Sequence, residues 1–339
     1  MTGADGVTAG IRELAARFLA DAEAVDAADT VPEDHLRGLA DAGLYGVFAP
    51  VAAGGLGLAY LDVCSVIEEL ASACLASTFV WIQHLRLLGA LLDPATPAAL
   101  RTALLHGAIR GEVRGGLALA GLLPGPPRLT AQPTAGGWVL DGQAPWVSGW
   151  GLVNLLVAVA RGPQDTAVTL LVDAHEQPGL VAARQRLAAV NASVTVRLSF
   201  TGLFVPDSRV VGQQPYDPAR QQAEGLRPNG SLALGVARRC CALIGPSALE
   251  EEIRACRAAL DAAGTDAAGT DATRTDAMPA ARARACELAV RAAHVLAVRR
   301  GSASALAGDP AERLTREASF LLVFGSRPAI KDALLDRLS

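Results

Sequence analysis

Apolar residues recur at helical spacing through the first third of the chain, and then the period changes. Ile11, Leu14, Ala15, Phe18 and Leu19 fall on one helix face. Val31-Pro32-Glu33-Asp34 starts a second helix, with proline near the first turn and acids against the dipole, and it stops at Ala42-Gly43-Leu44-Tyr45-Gly46. A loop follows from Pro50 to Leu58. Asp62 opens a long apolar helix from Val63 to about Ser72, which carries Glu68 and Glu69. Another runs from about Ser77 to Leu92 with Trp81, Gln83 and His84, and Pro94 and Pro97 break it.

Near Gly115 the pattern turns to short strands. Leu117 to Ala120 is apolar, and a proline-rich turn follows at Pro124-Gly125-Pro126-Pro127. Trp138-Val139-Leu140 reads as a strand, and Asp141-Gly142 is a strong signal for a hairpin turn. Leu152 to Ala160 and Ala167 to Val172 are further strands. Val194 to Phe200 alternates at period two, and Leu203 to Pro206 closes the region. Several short strands between turn residues predict a small antiparallel barrel or sandwich.

From about Asp217 the helical pattern returns. Gly230 to about Leu260 reads as one segment, Pro279 to about Ala305 as a second, and residues 311–338 as one or two more. Residues 261–277, rich in Gly, Thr and Asp with a short internal repeat, read as a flexible, solvated loop. The chain is thus expected to be an α+β multidomain protein: a helical domain over 1–112, a β-domain over 113–214 and a helical domain over 215–339. A cleft is expected where the β-domain's tryptophan-rich edge meets the helices.

Composition narrows the function classes. Hydrophobic residues make up 51% of the chain, yet charges interrupt every candidate membrane span. The N-terminus has acidic residues and no signal-peptide pattern, which points to a cytoplasmic protein. A net charge of -4 argues against a nucleic-acid or membrane partner. Cys64, Cys74, Cys240, Cys241, Cys256 and Cys286 form neither a CxxC motif nor a cluster with metal spacing, so no metal site is expected and they read as buried hydrophobes.

The chemistry concentrates at Pro145-Trp146-Val147-Ser148-Gly149-Trp150-Gly151. This stretch holds two indoles in a chain that is only 4% aromatic. A flat side chain, a small hydroxyl and glycines suit a planar heteroaromatic ligand; a Trp plugging a β-core accounts for the same residues. Ser148 likewise reads either as a ligand donor or as a turn hydroxyl capping local backbone.

Four segments, in order, resemble the acyl-CoA dehydrogenase superfamily. Pro50-x-x-x-Gly54-Gly55-x-Gly57 with Glu68-Glu69-Leu70 resembles its N-terminal helical domain, and Trp146-Val147-Ser148-Gly149 resembles the W-x-[ST]-[SN]-G segment of its middle domain. Phe200-x-x-x-Phe204-Val205-Pro206 resembles the exit strand, and Arg313-Leu314-Thr315-Arg316-Glu317-Ala318 resembles the R-L-x-R-D-A helix. The resemblance implies FAD, an acyl-thioester substrate on CoA or a carrier protein, and α,β-dehydrogenation with an electron-transfer acceptor. It also implies a homodimer or homotetramer. Trp146, Val147 and Ser148 are then the flavin-contacting positions. Trp81 and His84 lie on a helix that borders the family's substrate channel, although His84 also reads as a satisfied core histidine. His294, on an apolar helix, reads as core.

The sequence departs from the family where the catalytic base belongs. Registering Arg316-Glu317-Ala318 on the family's triplet puts Gly325 at the base position, and no carboxylate lies between Ala318 and Lys331. Some family members carry the base on the first long helix of the C-terminal domain, and the nearest candidate is Glu224. The family's T-E-P strand reads Ala118-Leu119-Ala120 here, the Q-x-x-G-G-x-G turn has no equivalent, and the C-terminal domain reads about one helical hairpin short. A flavin monooxygenase of the same fold, using O2, needs no carboxylate at Gly325. A degenerate binding homologue without turnover needs neither base nor adenylate turn.

Overall fold

The computed structural model describes residues 3–218, 225–266 and 277–339. Three helices open the chain: α1 (Gly3–Ala20), α2 (Ala22–Ala27) and α3 (Glu33–Asp41). Helices α4 (Tyr60–Ala73) and α5 (Leu75–Leu92) are separated by a single extended residue, Cys74, and α6 (Ala98–Arg110) completes the set. The 18-residue α5 is apolar enough by composition to cross a membrane, so the charges do not interrupt every span as expected. It is the central helix of this region, with Trp81, Leu87, Leu88 and Leu91 all buried.

Eight strands follow: β1 (Gly115–Ala118), β2 (Leu129–Thr134), β3 (Gly137–Val147), β4 (Leu155–Gly162), β5 (Thr166–Asp173), β6 (Leu180–Arg184), β7 (Val196–Pro206) and β8 (Val210–Pro215). They form one sheet in the order β6-β7-β3-β2-β4-β5-β8, with β1 beside β4. The sheet is mixed rather than wholly antiparallel, because β1 runs parallel to β4 and β2 meets β4 in parallel at Thr130.

The hairpin turn is not at Asp141-Gly142. β3 runs straight through that dipeptide, and the turn falls at residues 135–136, between Thr134 and its partner Gly137. Gly142 instead occupies a register shift against β7 at φ 125°, where a Cβ would lie 2.2 Å from the Arg128 carbonyl oxygen. Glycine is there for close approach and a bulge, not for a reversal.

The C-terminal region holds α7 (Leu226–Ile244), α8 (Leu249–Asp266), α9 (Ala277–Arg300), α10 (Pro310–Val323) and α11 (Pro328–Leu338). The segment expected as one helix from Gly230 to Leu260 breaks at Gly245, which sits at φ 87° before Pro246. Residues 261–266, expected in a loop, continue α8, and the rest of that stretch, 267–276, lies outside the described residues. Asp309 caps α10 by accepting from the Ala311 amide at 2.8 Å, with Pro310 opening the helix.

One apolar core runs through both helical regions, joining Phe18, Ile67 and Leu70 to Leu234, Ala289 and Leu314. The sheet has its own core, built on Trp138, Leu140, Leu156 and Leu198. A third cluster ties α5 to the sheet through Leu87, Leu91, Leu155 and Val157. Polar ties cross the same boundaries. Glu68 on α4 is buried and accepts from Arg257 of α8 at Nε, 2.9 Å, with Arg238 of α7 at 3.5 Å.

Candidate active site

The Trp146 segment leaves the β-ladder through a second register shift, between Ala144 and Val147. Trp146 sits at φ 63°, an uncommon backbone state for a residue with a bulky side chain. Its indole is 65% exposed and joins none of the hydrophobic clusters of the described residues, while its amide donates to Gln185 Oε1 at 3.4 Å. The tryptophan that packs in the β-core is Trp138. Val147 and Ser148 are buried.

A strained turn supports this segment from below. The Gly149 amide donates to the Ser193 carbonyl at 2.7 Å and the Trp150 amide to the Val194 carbonyl at 3.2 Å. Val190 and Val194, on either side of that turn, stand at φ 51° and φ 47°. A β-branched residue in the left-handed region costs on the order of 1–3 kcal/mol and persists only where its surroundings over-determine it. Asn191 Oδ1 accepts from the Leu187 amide at 3.2 Å, and the Ala192 carbonyl accepts from the Val31 amide at 2.9 Å. The Ser148, Thr195 and Ser193 hydroxyls form a buried hydrogen-bonded row: Ser148 Oγ lies 2.8 Å from Thr195 Oγ1, which lies 2.9 Å from Ser193 Oγ.

Helix α5 links this edge to the C-terminal helices. A Cβ added at Gly149 would come within 3.8 Å of Val80 Cγ1, so the Trp146 segment abuts α5. One residue away, Phe79 packs edge-on against Phe320 and Phe324, with centroids at 5.4 and 4.8 Å, and those two rings stack at 5.5 Å. Gly325 follows at φ 60°, and a Cβ there would meet Asn229 Nδ2 at 3.2 Å. Asn229 lies in the first turn of α7, its amide bonded to the Gly225 carbonyl at 3.2 Å. Four elements therefore meet at one corner: the end of β3, α5, the end of α10 and the start of α7. Glu224, the residue before Gly225, lies outside the described residues.

Trp81 and His84 are core residues. The Trp81 indole donates to the Leu44 carbonyl at 3.1 Å. His84 Nδ1 accepts from the Gly115 amide at 3.1 Å, so Nε2 carries the proton and donates to the Tyr45 carbonyl, also at 3.1 Å. Burial holds the imidazole neutral, its pKa lowered to about 4. Together they fasten α5 to the turn over residues 44–46 and to β1. His294, expected in the core, is exposed instead. It lines an open groove of 660 Å³ with Val290, Val298 and Leu338, away from this corner. No group of His, Cys, Asp and Glu with metal-binding geometry occurs among the described residues.

Thr195, Ser193, Asn229 and the three phenylalanines carry no readable signal in the sequence. Their roles come from contacts across 47 residues in the hydroxyl row and between separate helices in the phenyl cluster.

The family described as acyl-CoA dehydrogenase, N-terminal domain, matches residues 5–112. Benzylmalonyl-CoA dehydrogenase of Aromatoleum aromaticum is 28% identical over 238 residues, covering 66% of this chain and 61% of that protein. The chain spans less than two thirds of the length of that relative. Butyryl-CoA dehydrogenase from Megasphaera elsdenii superposes with a TM-score of 0.80 at 16% identity, over 99% of this chain and 97% of that one. Nitrososynthase from Micromonospora carbonacea var. africana superposes with a TM-score of 0.77 at 22% identity, over 100% and 96%. The match over residues 5–112 is to the N-terminal domain of acyl-CoA dehydrogenases, and the helix–sheet–helix architecture is the fold of the superposed structures.

Proposed function

We propose that the protein is an FAD-dependent oxidoreductase that acts on an acyl thioester, carried on CoA or a carrier protein, and removes hydrogen across its α,β bond. The observation that carries this reading is the corner where the segment from Trp146 to Gly149 abuts α5, and α5 in turn packs on the end of α10 beside the start of α7. The residues fit a flavin ring. An exposed indole stands on a strained left-handed backbone, 65% exposed among the described residues, and Val147 and Ser148 follow directly. A flavin bound there supplies the hydride acceptor. Trp146 offers a flat apolar face for a ring, and the Ser148 hydroxyl and neighbouring amides offer donors for negative charge on its edge. The Phe79–Phe320–Phe324 cluster gives an apolar surface that keeps water from the acyl group.

Glu224 is the proposed base that takes the α-proton. Its support is position in the chain: it precedes Gly225, which opens the helix whose Asn229 side chain lies where a Cβ at Gly325 would meet it. A carboxylate partly removed from water has its pKa raised toward the working range of a general base. One observation favours a second reading, a flavin monooxygenase using O2. Gly325 has no side chain to move a proton, and no carboxylate follows it before Asp332.

The visible absorption spectrum of the purified chain tests the cofactor: stoichiometric flavin is expected, and a colourless protein that takes up no FAD would leave a binding homologue. Anaerobic bleaching by acyl-CoA separates dehydrogenase from oxygenase. Glu224→Gln should lower the bleaching rate about 10²–10⁴-fold, and Gly325→Glu should raise it. Unchanged bleaching in Glu224→Gln would remove Glu224 from the mechanism. The electron acceptor and a homodimeric or homotetrameric assembly are proposed on the same footing, to be read from dye reduction and sedimentation.

A further inference from the structure

We propose that Thr195, backed by Ser193, is a positioning residue that fixes the Ser148 hydroxyl as an outward hydrogen-bond donor toward the acceptor edge of a bound flavin; this rests on the flavin reading above. A hydroxyl has one proton to donate and can accept two hydrogen bonds. Ser193, Thr195 and Ser148 stand in a row with O–O distances of 2.9 and 2.8 Å, and their exposures are 0, 2 and 5%.

The inner end decides the direction. Among the described residues Ser193 Oγ has one hydrogen-bonding neighbour, Thr195 Oγ1. If Thr195 donated inward, the Ser193 proton would be buried without an acceptor, which native structures avoid. Ser193 therefore donates to Thr195. The single Thr195 proton goes on to Ser148 Oγ, and Ser148 keeps its own proton for a partner outside the row. Each donor in such a chain polarises the next, so Ser148 is a stronger donor than an isolated serine.

The backbone is built to hold the row. Two main-chain bonds lock residues 149 and 150 to residues 193 and 194, and the Gln185 amide donates to the Thr195 carbonyl at 2.9 Å. The left-handed residues Trp146, Val190 and Val194 all lie within this small framework. Strain gathered around a buried hydroxyl row points to function rather than to packing.

The test uses the full chain as wild type, Thr195→Val, Thr195→Ser and Ser193→Ala. Valine keeps the shape of threonine and removes the relay, and serine keeps the relay. FAD affinity by titration, the midpoint potential of bound flavin and amide exchange of residues 146–150 without flavin are measured beside the melting temperature. Thr195→Val is expected to weaken FAD binding roughly 5–10-fold. It should also make the potential more negative, because a donor to the reduced ring is lost, and raise exchange at 146–150. Thr195→Ser should restore all three, and Ser193→Ala should shift the potential in the same direction by less. Wild-type-like affinity and potential in Thr195→Val overturn the proposal. So does a fall in melting temperature alone, since a purely structural threonine moves only that. Should the wild type bind no flavin, the cofactor reading fails by itself. The flavin-free exchange then decides: unchanged exchange in Thr195→Val overturns the positioning role, and a rise reversed by Thr195→Ser upholds it.

Discussion

His84 is neutral in the folded protein, and this gives stability a definite dependence on pH. Its folded pKa, about 4, lies below the ordinary value of 6.5, so the unfolded chain takes up a proton first as the pH falls. Stability is therefore expected to drop between about pH 6.5 and pH 4, by up to roughly 3 kcal/mol from this group, and to flatten below. Urea titrations across that window should show the slope, and His84→Gln should reduce it, leaving the part that His35, its pKa also lowered by burial, contributes. A second residue-level test concerns Arg313 and Glu317, which pair at 2.9 Å and are both almost fully buried. Burial raises the Glu317 pKa, and the Arg313 guanidinium opposes that rise. Glu317→Leu should cost about 3–5 kcal/mol in urea, because a buried cation keeps only the half-exposed Glu23, 3.4 Å away. The double change Arg313→Met/Glu317→Leu should recover most of that loss, as the charge itself is gone. Residues of this kind were legible where chemistry is local. Trp146 and Ser148 stand in one short segment, whereas Thr195 is visible only once the turn leading into β7 lies beside Ser148.

At the scale of elements, α7 rests directly on α4. A Cβ at Gly235 would fall 2.6 Å from the Glu68 carbonyl oxygen and 2.9 Å from the Ser72 amide nitrogen, both backbone atoms in a helix that cannot yield locally. Alanine favours a helix over glycine by about 1 kcal/mol, but here the clash wins. Gly235→Ala is expected to destabilise by about 1–3 kcal/mol, read by urea unfolding, whereas the same change at half-buried Gly10, with open space around it, should not. The types of most elements followed from hydrophobic period, and the failures have specific causes. Asp141-Gly142 has the composition of a turn, but Gly142 answers a close approach of the strand beginning, a contact that lies 14 residues back at Arg128. Residues 261–266 have the composition of a loop, yet they prolong α8, where Ala263 is buried against the bundle. His294 looked internal because α9 alternates alanine and valine on several faces, one of which opens to the groove beside α11.

For the whole molecule, the order of helical, β and helical regions was readable because each change of period lasts for tens of residues. What joins the regions was not readable, since single polar pairs leave no periodic trace. Arg316 of α10 reaches Asp26 of α2 at 2.5 Å, and Arg114 reaches Glu33 at 3.0 Å, each bridging distant parts of the chain. The proposed site lies among these ties, so its geometry depends on contacts from every region at once.

The pairing of buried Glu68 with half-buried Arg257 sets a timetable for synthesis. The carboxylate leaves the ribosome 189 residues ahead of its guanidinium partner, an interval of about 10–40 s at roughly 5–20 residues per second. Through that interval the first helices exist without Arg257, and for most of it also without the α7 backbone that covers α4 at Gly235. A nascent chain stalled before residue 230 carries an uncovered apolar helix face around an unpaired charge, the kind of transiently exposed surface that chaperones cover. Closure of the first region is thereby deferred until the last has been made.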